Sequence, residues 1–123
     1  MKEYNEYLNG QLEEMLTKMA ARGVDANELN RIRIAFAFAR EAHSGQKRKS
    51  GEPYIIHPMA VARIVAEELQ LGPNPVIAAF LHDVVEDTDH TIDEIKNLFG
   101  NDVAYLVRVV TKRKKQHYYM SKQ

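Results

Sequence analysis

The chain has 123 residues, of which 45% are hydrophobic, and its 17 Lys and Arg balance its 17 Asp and Glu to a formal net charge of zero. That length points to one domain with a core of moderate size, and the charge balance excludes a general polyanion binder, leaving room only for a local basic patch. No cysteine is present, which rules out disulfides and thiolate metal sites.

The N-terminal stretch "MKEYNEYLNG" lacks a positive start followed by an apolar core, so it does not read as a secretory signal. The longest apolar run, "VIAAFL", falls far short of the ~20 residues needed to cross a bilayer. A soluble cytoplasmic domain is therefore expected, with neither a membrane nor a nucleic acid as partner.

Periodicity divides the chain into helices separated by Gly, Pro and Asn, with little sign of strands, and the predicted class is all-α with about six helices. A leading helix runs from about Glu3 to Ala21, within residues 1–22, and Gly23 is its expected C-cap. Asp25 or Asn27 opens a second helix that turns Leu29, Ile32, Phe36 and Ala39 inward. "SGQKRKSGEPYIIHP" reads as a long basic loop. Pro58 suits the first turn of a third helix ending near Leu69, because proline there sacrifices no intrahelical hydrogen bond. After "GPNP" a fourth helix is predicted from Val76 to about Asp87. Thr91 and Glu94 make a capping box for a fifth. Asn101 or Asp102 starts a sixth, with Val103, Leu106, Val107 and Val110 as its apolar set, and residues 113–123 form a basic tail.

The stretch "FLHDVVEDT" on the fourth helix raises a chemical question. With His82 at zero and a turn of 100° per residue, Asp83 falls near 100°, Glu86 near 40° and Asp87 near 140°, about one stripe. A solvated stripe would ordinarily include Lys or Arg; this one consists of ligands and proton carriers. Clustered carboxylates repel one another unless a cation, a base or water compensates. The plain alternative is an acidic helix end running into a loop. His57, 25 positions upstream at the mouth of the third helix, weighs against it: antiparallel packing would bring its imidazole beside His82 and Asp83. Two imidazoles and a carboxylate suit a borderline divalent ion such as Mn²⁺, Zn²⁺ or Fe²⁺.

"GQKRKSGEPYIIHP", "AAFLHDVVEDT", "EIKNLFGNDVAYLV" and "VTK", in that order and spacing, resemble the N-terminal HD-type hydrolase domain of RelA/SpoT homologues, over about Ile34 to Lys112. The resemblance implies an HD-domain helical bundle that removes the 3′-pyrophosphate from (p)ppGpp. It further implies His57, His82 and Asp83 as ligands of a Mn²⁺ ion. Glu86 and Asp87 are the implied acidic pair that orients and deprotonates the attacking water, and Arg48, Lys49 and Ser50 the implied contacts to the guanosine polyphosphate nucleotide.

Two departures stand out. Where the family shows "GVTKL", this chain has "VVTKR", with Val109 and Arg113 in place of glycine and leucine. In the family a further aspartate downstream completes the metal shell, whereas no aspartate follows Asp102 here. The expectation is an N-terminal part of the hydrolase domain, with weak metal binding, little turnover and self-association through apolar surface left uncovered around His57 and His82. Two other readings remain open: a regulatory helical module with a vestigial metal site, and an HD phosphohydrolase acting on another nucleotide. Of the remaining polar residues, His43 is expected to cap the second helix, His90 to face solvent, Tyr54 to pack rather than to contact substrate, and Lys112 to Lys115 to lie on a solvated helix end.

Overall fold

A computed structural model describes the backbone of residues 2–122 and the side chains of residues 4–111. Its elements are α1 (Lys2–Ala21), α2 (Ala26–Ala42), α3 (Ile56–Arg63), α4 (Pro73–Asp87), α5 (Ile92–Phe99) and α6 (Asn101–Lys122). A π-helical turn, Ile64–Glu68, prolongs α3. Among the described residues there is no strand, only an isolated bridge between Lys47 and Pro53. The all-α expectation therefore holds, and the residues of the predicted basic tail continue α6 as far as Lys122, with side chains outside the described residues.

Local chemistry sets the boundaries. Gly23, at φ 99°, closes α1, with its N–H bonded to Ala20 O and the Val24 N–H to Met19 O, the paired bonds of a Schellman ending. Asp25 caps α2, its Oδ1 accepting the Glu28 N–H at 2.9 Å. Both halves of the Thr91–Glu94 capping box form at the start of α5. α4 begins three residues earlier than predicted. Pro73 and Pro75 both fall in its first turn, where the missing N–H groups would have had no helical partner, so the "GPNP" punctuation belongs inside the helix.

The third helix also departs from expectation: regular α-geometry stops at Arg63, and the Leu69 N–H reaches back to Ile64 O in a wider turn. Gln70 then takes a positive φ of 53°. Arg22 spans the gap, donating to the carbonyls of Ala66, Gln70 and Leu71 at 3.1 to 3.2 Å and satisfying acceptors the wider turn leaves over.

α4 is the central element, packed against α2, α3 and α6. It buries Val76 through Leu81, then Asp83 and Val84. Phe80 meets Phe36 of α2 edge-on at 5.7 Å. α1 lays Leu8, Leu12, Met15, Leu16 and Met19 across the body, a stripe at helical spacing. Ile32, Phe36 and Ala39 are buried as predicted, and Leu29 partly so. On α6, Val103 and Val107 are buried, but Leu106 is only half-buried and Val110 is 45% exposed. These last two help line an apolar groove of about 280 Å³ with Val61, Val65, Ala78, Ala79 and His82.

Candidate active site at the α3–α4 junction

α3 and α4 pack together and bring His57 of α3 beside His82 and Asp83 of α4. Asp83 lies at the centre of the three, only 1% exposed. The Nε2 atom of His82 is 3.1 Å from Asp83 Oδ1, and that of His57, in the first turn of α3, is 4.0 Å from Asp83 Oδ2. Both imidazoles thus flank one buried carboxylate. His82 is mostly buried, whereas the His57 side chain is 45% exposed.

The Nδ1 of His82 lies 2.9 Å from Ala79 O. Because a carbonyl only accepts, Nδ1 carries a proton, and Nε2 is the nitrogen turned towards Asp83. A lone pair facing a carboxylate oxygen at 3.1 Å needs a proton or a cation between them. This orientation, with the far nitrogen held by a backbone carbonyl, is the one metal-binding histidines adopt.

The carboxylates further along α4 differ in setting. Glu86 is half-buried, with Oε2 shielded from solvent. Asp87, the last residue of the helix, exposes its side chain. The Tyr54 hydroxyl joins Asp87 to the centre, standing 2.9 Å from Asp87 Oδ2 and 3.2 Å from Asp83 Oδ2. Burial, then the hydrogen bond to Asp87 and the two nearby carboxylates, push the Tyr54 phenol well above its usual range, so it stays a donor.

The basic segment is more ordered than a long open loop. Arg48 N–H bonds Glu52 O at 2.9 Å, Gly51 N–H bonds Arg48 O at 2.8 Å, and Tyr54 N–H bonds Gln46 O at 3.2 Å. Gly51 supplies the φ of 90° that this tight reversal requires. Arg48, Lys49 and Ser50 are exposed on it and, with Lys47, Glu52 and Tyr54, line an open cavity of about 660 Å³. Tyr54 thereby borders both the basic cavity and the carboxylate cluster.

The chain is similar to several known proteins. A family model described as "HD domain" matches residues 35–123. The chain belongs to the HD-domain family. Among similar proteins is the Bifunctional (p)ppGpp synthase/hydrolase SpoT of Escherichia coli K12, 46% identical over 99 residues, covering 80% of this chain and 14% of that protein. The Guanosine-3′,5′-bis(diphosphate) 3′-pyrophosphohydrolase of Aquifex aeolicus is 52% identical over 101 residues, covering 82% and 14%. A solved structure described as a metazoan ortholog of SpoT that hydrolyzes ppGpp superposes with a TM-score of 0.63 at 37% identity, covering 66% of this chain and 47% of that one. This HD-domain chain thus spans about one seventh of the length of the two curated relatives.

The donors of this HD domain have the chemistry for a divalent ion: two imidazole nitrogens beside a buried carboxylate, one of them in the ligating orientation. Among the described residues, however, no group of three His, Asp or Glu side chains is arranged to hold a metal ion as it stands. The pairwise contacts exist and a closed cage does not.

Sequence reading underrated Tyr54. Its ring does pack, against His43 at 4.5 Å, but its hydroxyl is part of the site. The available signal was its place three residues before His57 at a helix start, within reach of the same neighbours. Gln46 was passed over altogether; its Nε2 donates to Asp87 O at 3.3 Å. His43 caps α2, as expected. His90, expected to face solvent, is instead half-buried against Phe38 at 4.8 Å, with Nδ1 2.8 Å from Glu94 Oε2, and braces the start of α5 outside the site.

Proposed function

We propose that this chain carries the site of a cation-dependent phosphohydrolase that removes the 3′-pyrophosphate of (p)ppGpp, yielding GDP or GTP and pyrophosphate. The observation that carries the reading is the convergence of His57 and His82 on the buried Asp83, with Asp87 linked to the same centre through Tyr54. The names of the relatives point to the same substrate. His57, His82 and Asp83 hold the ion, which we take to be Mn²⁺; closing the set takes a swing of the half-exposed His57 ring towards Asp83. When bound, the cation supplies charge stabilisation for the phosphoryl oxygens and lowers the pKa of nearby water.

The protein's own groups do the rest. Arg48 offers a planar guanidinium for the purine face or a phosphate, with Lys49 and Ser50 as further phosphate contacts. Glu86 and Asp87 orient a water against the phosphorus attached to the ribose 3′-oxygen, and one of them takes its proton. The proton taken from the water is then delivered to the departing 3′-oxygen. The bond between that oxygen and phosphorus breaks, leaving a 3′-hydroxyl and free pyrophosphate.

No described helix is long and apolar enough to cross a membrane; we assign the chain to the cytoplasm, as its lack of cysteine allows. We also propose self-association through the apolar groove between α3, α4 and α6, which leaves Val110 and its neighbours partly uncovered.

The test is pyrophosphate release from (p)ppGpp with and without added Mn²⁺. Slow, Mn²⁺-dependent release is expected, falling by about 100-fold or more in Asp87→Asn, the scale of a lost general base. Equal rates in the variant, or cleavage confined to the 5′-phosphates, would overturn the assignment. A second reading, a regulatory helical module, is favoured by the unclosed donor set and by relatives named GTP pyrophosphokinase. It requires His82→Ala to leave both Mn²⁺ affinity and pyrophosphate release unchanged.

A further inference from the structure

The acid pair sits where a helix is weakest. Asp87 is the last residue of α4, among carbonyls that have no helical donor and in a turn prone to fray. A side chain held only by such a turn would wander on the scale that separates productive from idle geometry.

Three residues from outside α4 act on this turn. Gln46 Nε2 donates to the Asp87 carbonyl at 3.3 Å. The other end of the same amide, Oε1, lies 3.1 Å from His43 Nδ1, and because Oε1 only accepts, His43 Nδ1 carries the proton. The amide orientation is thus set from one end, and donation to Asp87 follows at the other. His43 is 3% exposed and its ring stacks on Tyr54 at 4.5 Å. Tyr54 in turn donates to the Asp87 carboxylate at 2.9 Å. Asp87 is therefore gripped at its main chain through Gln46 and at its side chain through Tyr54, and both grips trace back to His43.

His43 looks extravagant as a mere helix cap. Its Nε2 is buried with no hydrogen-bond partner among protein groups, and the ring lines a cavity of about 220 Å³ behind Tyr54, shared with Asn5 and Ser44. That volume accommodates several waters at roughly 30 Å³ each, one of which can satisfy Nε2. A buried, partly unsatisfied imidazole is costly in a core and is retained where its geometry matters.

We propose that His43 is a positioning residue that, through Gln46 and Tyr54, holds Asp87 at the end of α4 against the Asp83 centre. The role of Asp87 in the reaction rests on the function proposed above; the grip on the last turn of α4 does not. The brace makes the loop that carries Arg48 and the helix that carries the acid pair one mechanical unit, so nucleotide contact and proton transfer keep a fixed register.

The test uses the whole 123-residue chain and reads amide hydrogen exchange at Asp87 and Thr88 by NMR, alongside Mn²⁺ affinity by EPR. Tyr54→Phe keeps the ring on His43 and deletes only the hydroxyl; Gln46→Ala deletes the other grip. Each is expected to speed exchange at these two amides about tenfold, the size of one lost hydrogen bond to a charged or helix-end acceptor, with exchange in α2 unchanged. His43→Ala should accelerate it further. His43→Asn, whose amide N–H can replace Nδ1–H, should restore the Gln46 grip and recover most of the protection. Mn²⁺ affinity should move less than about threefold in Gln46→Ala and His43→Asn, because neither touches a proposed ligand, whereas Tyr54→Phe, which also removes a hydroxyl 3.2 Å from Asp83 Oδ2, should weaken it about tenfold. Where the chain releases pyrophosphate, Tyr54→Phe should lower kcat at least about tenfold with little change in KM. Unchanged exchange at Asp87 and Thr88 in both Tyr54→Phe and Gln46→Ala would overturn the brace. Absence of (p)ppGpp hydrolysis in the parent chain, with accelerated exchange in the variants, would sink the reaction and leave the brace standing.

Discussion

His57 is the most informative residue to remove, because its 45% exposure separates fold from function. Truncation to alanine at a half-exposed site outside the core should change stability by less than about 1 kcal/mol. Its effect on cation binding should be much larger. With Mn²⁺ at 100 times its dissociation constant, the folded state gains about 2.7 kcal/mol by mass action. For a chain of this length each kcal/mol is worth roughly 3–5 °C, so the wild type should melt about 8–13 °C higher with the ion than without. Losing one of three ligands by His57→Ala should weaken binding at least about 100-fold, reducing the gain at the same ion concentration to about 0.4 kcal/mol and the shift to roughly 1–2 °C. Thermal denaturation followed by circular dichroism, with and without Mn²⁺, gives all four numbers. An undiminished ion-induced shift in His57→Ala would refute the ligand assignment, and a melt far below wild type without the ion would show His57 to be part of the scaffold.

Two further expectations concern the scaffold. Phe80 is fully buried and edge-on to Phe36, so Phe80→Ala should cost about 3–5 kcal/mol, much of the stability of a domain this size, seen as a lowered urea midpoint. Glu67 is held down to about 2, chiefly by its hydrogen bond to Arg63 and next by that to Lys18, against an ordinary 4.5. A lowered folded pKa contributes stability above 4.5 that is lost as pH falls towards 2; after solvent screening this amounts to about 1–2 kcal/mol, and Glu67→Gln should flatten that part of the stability profile.

The groove between α3, α4 and α6 links packing to assembly. Val110 belongs to the apolar set of the sixth helix, but periodicity reports only which residues share a face. What covers the face is a tertiary matter, and here the groove over Ala78 and Ala79 stays open. The same distinction explains the third helix. Its composition favours a helix through Leu69, whereas the observed π-turn depends on carbonyls that Arg22, more than 40 residues earlier, comes in to bind.

Much of this protein can be read along the chain, because the signals involved are local. Glycine at a positive φ after α1, the Asp25 cap, the Thr91–Glu94 box and the spacing of apolar residues each act within a turn or two, and so the six helices are legible in the sequence. The stripe of His82, Asp83, Glu86 and Asp87 is legible for the same reason. Only the folded chain reveals that Asp83 is buried, that His57 and His82 flank it, and that Tyr54 and Gln46, both in contact with His43, meet at Asp87. The contacts of His57 with Asp83 and of Tyr54 and Gln46 with Asp87 join residues 26 to 41 positions apart, and their energy depends on which helix faces pack together, a choice made by the whole core rather than by any local stretch of sequence.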